Sequence, residues 1–125
     1  MAQHLQALLD PRYDVDVVAD GRALIAAASL ARPDLIISDI AMPGISGLAA
    51  ARQILEAQPQ ALIIFATVLD EAAIIRRALA EGARGYVLKS DAGDELADAV
   101  ETVLAGGRYV SSSLRAALGG GQSGN

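Results

Sequence analysis

The stretch Pro33 to Gly47, PDLIISDIAMPGISG, constrains the fold more than any other part of the chain. A short run, Leu35 to Ser38, delivers Asp39, and Met42-Pro43-Gly44 then turns the chain sharply away. An apolar run of that length closed by a Pro-Gly breaker reads as a strand buried on both faces, as the strands of parallel sheets are. An aspartate at the carboxyl end of such a strand stands where open α/β sheets place their ligands. Taken alone, it is more often a solvated loop-end carboxylate. Its company further along decides between the two readings.

Two more runs repeat the pattern. Leu62 to Ala66, LIIFA, delivers Thr67, and Gly85 to Leu88 delivers Lys89. An earlier segment, Tyr13 to Ala19, carries Val15, Val17 and Val18 and reads as a β-branched strand. Helical stripes surround these runs. Leu5, Leu8 and Leu9 form one, stopped by Asp10-Pro11; Leu24, Ile25 and Ala28 follow the opening Asp20-Gly21. Leu48, Ala51, Ile54 and Leu55 form the next, ended by Pro59. Ile74, Ile75, Ala78 and Leu79 follow Asp70-Glu71, whose charge suits a helix start, and Gly82 suits the position just past the end. Leu96, Val100, Val103 and Leu104 form the last stripe, closed by Gly106-Gly107. Four strands alternating with five helices, with no hairpin signal between them, predict a doubly wound parallel sheet with right-handed crossovers. The domain is expected over residues 1–118, with 119–125, ending GGQSGN, as a flexible tail that has nothing to bury.

Composition narrows the function. A chain of 125 residues supports one core. Its apolar fraction of 53% is largely alanine, with aromatics at 3%, which suits close packing of helices on a sheet. A net charge of −5 disfavours a nucleic-acid-binding surface. The chain holds no cysteine, which removes thiolate metal sites and disulfides. No apolar run reaches membrane-spanning length and no signal pattern opens the chain, so a cytoplasmic location is expected. His4, the sole histidine, lies on a helix and reads as a surface or capping residue, not a catalytic one.

Asp39, Thr67 and Lys89 thus fall at successive strand ends on one sheet edge. A carboxylate there can attack a phosphoryl group and form an acyl phosphate. An ammonium can pair first with that carboxylate and then with a phosphoryl oxygen, and a hydroxyl can donate to the same oxygen. Each residue alone has a plainer role; their joint placement is what carries weight.

On these residues the sequence resembles the receiver domain of two-component response regulators, a flavodoxin-like fold, from about Leu5 to Val110. SDIAMPGISG is similar to that family's phosphoacceptor motif, and EGARGYVLK to the stretch leading to its lysine. The spacings of 28 residues from Asp39 to Thr67 and 22 from Thr67 to Lys89 suit the subgroup usually fused to a LuxR-type helix-turn-helix. The resemblance implies Asp39 as phosphoacceptor, Thr67 as switch hydroxyl, Lys89 as phosphate partner and Tyr86 as switch aromatic. It also implies magnesium held by Asp39 and the backbone carbonyl of Ala41, with Pro43, Gly44 and Gly47 shaping the loop. A sensor histidine kinase is the implied phosphodonor, and the implied response is a changed surface over the last two helices.

The chain departs from that pattern at its start. The family's first strand and the acidic pair that ends it are not found, and Asp10, Asp14, Asp16 and Asp20 fall elsewhere in the pattern. Magnesium is therefore expected to bind weakly or not at all. In the family's strand order, 2-1-3-4-5, the first strand is central. Three readings of the gap stay open: a start placed too late, an outer strand that moves inward to pair directly, or a second chain that fills the space in a homodimer or strand-swapped dimer. Two other functions fit parts of the pattern. A degenerate receiver-like module would bind partners without taking phosphate. A phosphatase or dehalogenase with an aspartate nucleophile would want a second acid where Ala41 stands.

Overall fold

In the computed structural model, residues 15–18, 25–26, 34–40 and 47–115 are described. The helix expected around Leu5 to Leu9, the turn at Met42-Pro43-Gly44 with the Ala41 carbonyl, and the tail over 119–125 lie outside the described residues. The strands are β1 (Val15–Val18), β2 (Leu35–Ser38), β3 (Ile63–Thr67), β4 (Gly85–Leu88) and β5 (Tyr109–Val110). The described helices are α1 (Gly47–Ala57), α2 (Ala72–Ala80), α3 (Ala92–Leu104) and the short α4 (Ser112–Arg115), with Ile25 and Ala26 also helical. β2 and β4 stand where their apolar runs predict. β3 begins one residue later than expected and takes in Thr67.

All five strands are parallel and their order in the sheet is β1-β2-β3-β4-β5. β1 pairs with β2 directly, Val15 opposite Leu35 and Val18 opposite Ser38. Of the readings open for the gap, the arrangement seen is the one in which the outer strand moves inward. It leaves the backbone groups of β2 paired on both sides, which a buried strand requires.

Side chains alternate across the sheet with the strand period. Ile36, Ile63, Phe65 and Tyr86 face α1 and α2, meeting Ala50, Ala51, Ile54, Ile75 and Ala78. Leu35, Ile37, Ile64, Ala66 and Val87 face α3, meeting Leu96, Ala99, Val100 and Val103. Alanines occupy much of the helix contact surface, so the layers approach closely. Both faces being covered explains why the strands read as continuous apolar runs instead of alternating ones.

The carboxyl-terminal part departs from the sequence expectation. The two-residue strand β5 and the helix after it leave no periodic apolar pattern to find. α1 and α2 lie on one face of the sheet and α3 on the other, yet β5 continues in the same direction across the sheet as β3 and β4. The β4–α3–β5 step therefore has the opposite hand to the β3–α2–β4 step, against the expectation of uniform right-handed crossovers. Parallel crossovers seldom break that rule, and side-chain bonds described below hold this segment in place.

Candidate functional site

β2, β3 and β4 end side by side, and three polar residues stand at or just beyond their last positions. Asp39 follows β2, Thr67 closes β3 and Lys89 follows β4. Two strand spacings, about 9.6 Å, separate β2 from β4, so a long side chain is needed to bridge them. The Lys89 side chain does so: Nζ lies 2.7 Å from Asp39 Oδ2. The lysine side chain is 23% exposed and the aspartate 20%, so the pair is sheltered yet open on one side. A charge-assisted bond of that length is among the stronger hydrogen bonds a protein makes. The backbone joins in, since the Lys89 N–H donates to the Thr67 carbonyl at 2.9 Å.

The segment bearing Asp39 rests on the first residue of α1. The Gly47 N–H donates to the Ile40 carbonyl at 2.9 Å. A Cβ at Gly47 would collide with the Asp39 carbonyl oxygen and lie 2.8 Å from the Ile40 Cα. Glycine is required here for close backbone approach. The Ser38 hydroxyl also donates to the Asp39 carbonyl, at 3.0 Å.

Thr67 and Tyr86 are both wholly buried and both bond the backbone of one residue, Leu69. The Leu69 N–H donates to Thr67 Oγ1 at 3.3 Å, and the Tyr86 hydroxyl donates to the Leu69 carbonyl at 2.8 Å. Leu69 is thus held from both ends, while its neighbour Val68 is 69% exposed. Burial pushes the Tyr86 hydroxyl well above its ordinary pKa of 10.0, helped by the negative charges of Glu71, Asp39 and Asp70. The neutral phenol therefore contributes stability that is fully present below pH 10.0 and is lost as pH rises through the raised folded value. Tyr86→Phe is expected to lower stability by about 1 kcal/mol and to weaken this alkaline dependence. Denaturant melts of both proteins across the alkaline range check it; superimposable curves would leave the hydroxyl without a role.

A second polar cluster was not anticipated from the sequence. Glu95, in the first turn of α3, accepts bonds from the Tyr109 hydroxyl at 2.7 Å, the Ser112 N–H at 2.9 Å and the Ser112 hydroxyl at 2.5 Å. The Ser113 hydroxyl donates to Asp91 Oδ2 at 2.5 Å. Arg115 Nε donates to the Val110 carbonyl at 2.8 Å, with the guanidinium 5.1 Å from the Tyr109 ring centroid. Bonds from Ser112 hold the Glu95 carboxyl below its ordinary value of 4.5, against a smaller opposing effect of burial. The contribution of that carboxylate is full above pH 4.5 and is lost as pH falls through the lowered folded value. Acidification in that window is expected to detach α4 before the sheet unfolds. The Ser112 amide resonance should report it, and Glu95→Gln should remove the transition.

The resemblance implies a magnesium ion held at an acidic site. Among the described residues no group of three or more His, Cys, Asp or Glu side chains is gathered as a metal ion would need. Asp39 is the sequence-predicted ligand that is described, and its Oδ2 is engaged by Lys89. Ala41, Pro43 and Gly44 lie outside the described residues. The described side chains alone do not make a magnesium site.

A profile of the response regulator receiver domain matches residues 1–101. The chain belongs to the response regulator receiver family. This receiver is 33% identical over 117 residues to the transcriptional regulatory protein LnrK of Bacillus subtilis, a match covering 91% of the chain and 53% of LnrK. It is 35% identical over 105 residues to the oxygen regulatory protein NreC of Staphylococcus carnosus, covering 83% of the chain and 48% of NreC. The receiver thus spans about half the length of these two curated relatives. Among solved structures, it resembles a LuxR-family two-component response regulator from Aurantimonas sp. SI85-9A1, with a TM-score of 0.77 and 32% identity, over 82% of this chain and 73% of that one. The receiver is a module of two-component signalling. Among its described residues no helix is long and apolar enough to cross a membrane.

Proposed function

We propose that the receiver accepts a phosphoryl group on Asp39 from a sensor histidine kinase and changes its surface in response. The observation that carries this reading is the 2.7 Å contact between Lys89 Nζ and Asp39 Oδ2 at the edge of the sheet. A carboxylate oxygen attacks phosphorus as the bond from phosphorus to the donor nitrogen breaks, leaving an acyl phosphate on Asp39. The Lys89 amine then moves from the carboxylate to a phosphoryl oxygen and offsets its added charge. Thr67 reorients its hydroxyl toward the same group. That movement releases the Leu69 N–H, and since the Tyr86 hydroxyl holds the carbonyl of the same residue, the loop before α2 shifts with it. Pro43 and Gly44 would shape the loop beside Asp39 with Gly47 at its far end, and any magnesium would be held by Asp39 and the Ala41 carbonyl and would supply charge neutralisation there. The names of its relatives, a transcriptional regulatory protein among them, support an output in transcription. The receiver would reach DNA through an output domain and could pair with a second copy of itself.

Intact mass after incubation with acetyl phosphate and magnesium, beside an Asp39→Asn control, tests the reading. Gain of one phosphoryl group by the native chain and none by the control is the expected result. No gain by a folded native chain would overturn it.

A further inference from the structure

The residue that completes the end of β4 comes from outside the sheet's regular ladder. Ser111, directly after β5, is wholly buried. Its N–H donates to the Tyr86 carbonyl at 2.9 Å, continuing the β4–β5 pairing, and its carbonyl accepts the Leu114 N–H at 2.9 Å, in the first turn of α4. The next rung of a parallel ladder would bring the Leu88 N–H to the Ser111 carbonyl. That carbonyl is committed to α4, and the Ser111 hydroxyl accepts the Leu88 N–H in its place, at 2.9 Å. A serine at this position would ordinarily cap the helix that follows it. Here the Leu114 N–H, one of those a capping hydroxyl would take, goes to the Ser111 carbonyl instead, and the hydroxyl serves Leu88.

Leu88 immediately precedes Lys89, whose own N–H is bound to the Thr67 carbonyl on the other side. Successive amides at the end of β4 are therefore tied to opposite neighbours, and the lysine side chain departs from that doubly held point. β5 is only two residues long, so this hydroxyl supplies much of what fixes the edge beside Lys89. We propose that Ser111 is a positioning residue for the Lys89 amine: by holding the Leu88 N–H it fixes the end of β4 and with it the approach of Lys89 Nζ to Asp39. The same three-residue segment, Ser111 to Ser113, is bonded to Leu88, Glu95 and Asp91 in turn. The segment formed by β5 and α4 is thereby attached to the short stretch that carries Lys89. The consequence for phosphoryl transfer rests on the functional reading above; the consequence for the lysine does not.

Lys89 is the sole lysine in the chain, so its amine can be followed without ambiguity. Trace labelling with acetic anhydride, read as the mass of the Lys89 peptide, reports how firmly the amine is held. Ser111→Ala is expected to label about threefold to tenfold faster than the native chain, and Ser111→Thr, which keeps the hydroxyl, to restore most of the protection. Tyr109→Phe loosens the same segment without touching Leu88 and is expected to leave the rate unchanged. A folded Ser111→Ala variant that labels at the native rate, or an equal rise in Tyr109→Phe, would overturn the proposal. Exchange of the Leu88 amide in the native chain needs no variant: protection equal to the other β4 amides is expected, and exchange as fast as an exposed amide would sink it. Phosphoryl uptake by the same proteins is a separate reading. There Ser111→Ala should add nothing in a Lys89→Ala background. A native chain that takes no phosphate would overturn the functional reading alone, while labelling and exchange still judge Ser111.

Discussion

Gly47→Val is expected to destabilise the fold by about 3 kcal/mol, the upper part of the range for overpacking, and Gly47→Ala nearly as much. The two are paired because the conflict begins at the Cβ. It would strike the Asp39 carbonyl oxygen and the Ile40 Cα, both backbone, and come within 3.1 Å of Phe65 Cε1. A flexible side chain could rotate away; a peptide unit cannot. The Asp39 segment would have to lift from α1, breaking the Gly47 to Ile40 bond and moving the carboxylate relative to Lys89. Circular dichroism melts in denaturant check the stability, and the midpoint should fall well outside error. A loss below about 1 kcal/mol, with valine much worse than alanine, would mean that the Asp39 segment does not rest on the helix as described.

Removing the Lys89 amine is expected to separate chemistry from stability. Lys89→Ala should slow phosphoryl uptake by about a hundredfold to a thousandfold, the usual effect of deleting one group that stabilises developing charge. Its effect on folding should stay near 1 kcal/mol, because both side chains keep about a fifth of their surface in water and the screening that comes with it. Lys89→Arg should recover little, since a planar fork cannot replace a compact ammonium at the end of a short reach. The rate of mass gain from acetyl phosphate, beside a melt of each variant, measures both quantities. Native uptake in Lys89→Ala would remove the lysine from the reaction, and a collapse in stability would make the pair structural.

Much of this molecule could be read without coordinates. The strands ending near Asp39, Thr67 and Lys89 are short apolar runs that each deliver a polar residue, and a run buried on both faces carries that signal in every residue. The helices α1, α2 and α3 follow from their stripes. Gly82 past the end of α2, with φ of 110°, follows from the rule that a helix closes most easily on a glycine. β5 and α4 were not legible, because two residues are too few to show a period and four too few to show a stripe. Glu95 and Ser111 were missed for a related reason. Each looks locally like a helix-start acid or a helix cap, and its partners lie 17 and 23 residues away.

The sequence by itself determined that strands and helices alternate, which residues end the strands, and the family to which those endings belong. Only the tertiary structure decided that β1 closes directly on β2, that the β4–α3–β5 step reverses hand, and that Lys89 spans β3 to reach Asp39. Those outcomes depend on which unpaired backbone edges and charged groups meet in space. Local pattern fixes the elements, because burial and period act along the chain. It does not fix their partners, because a hydrogen bond or an ion pair acts between neighbours that the chain brings together only once it has folded.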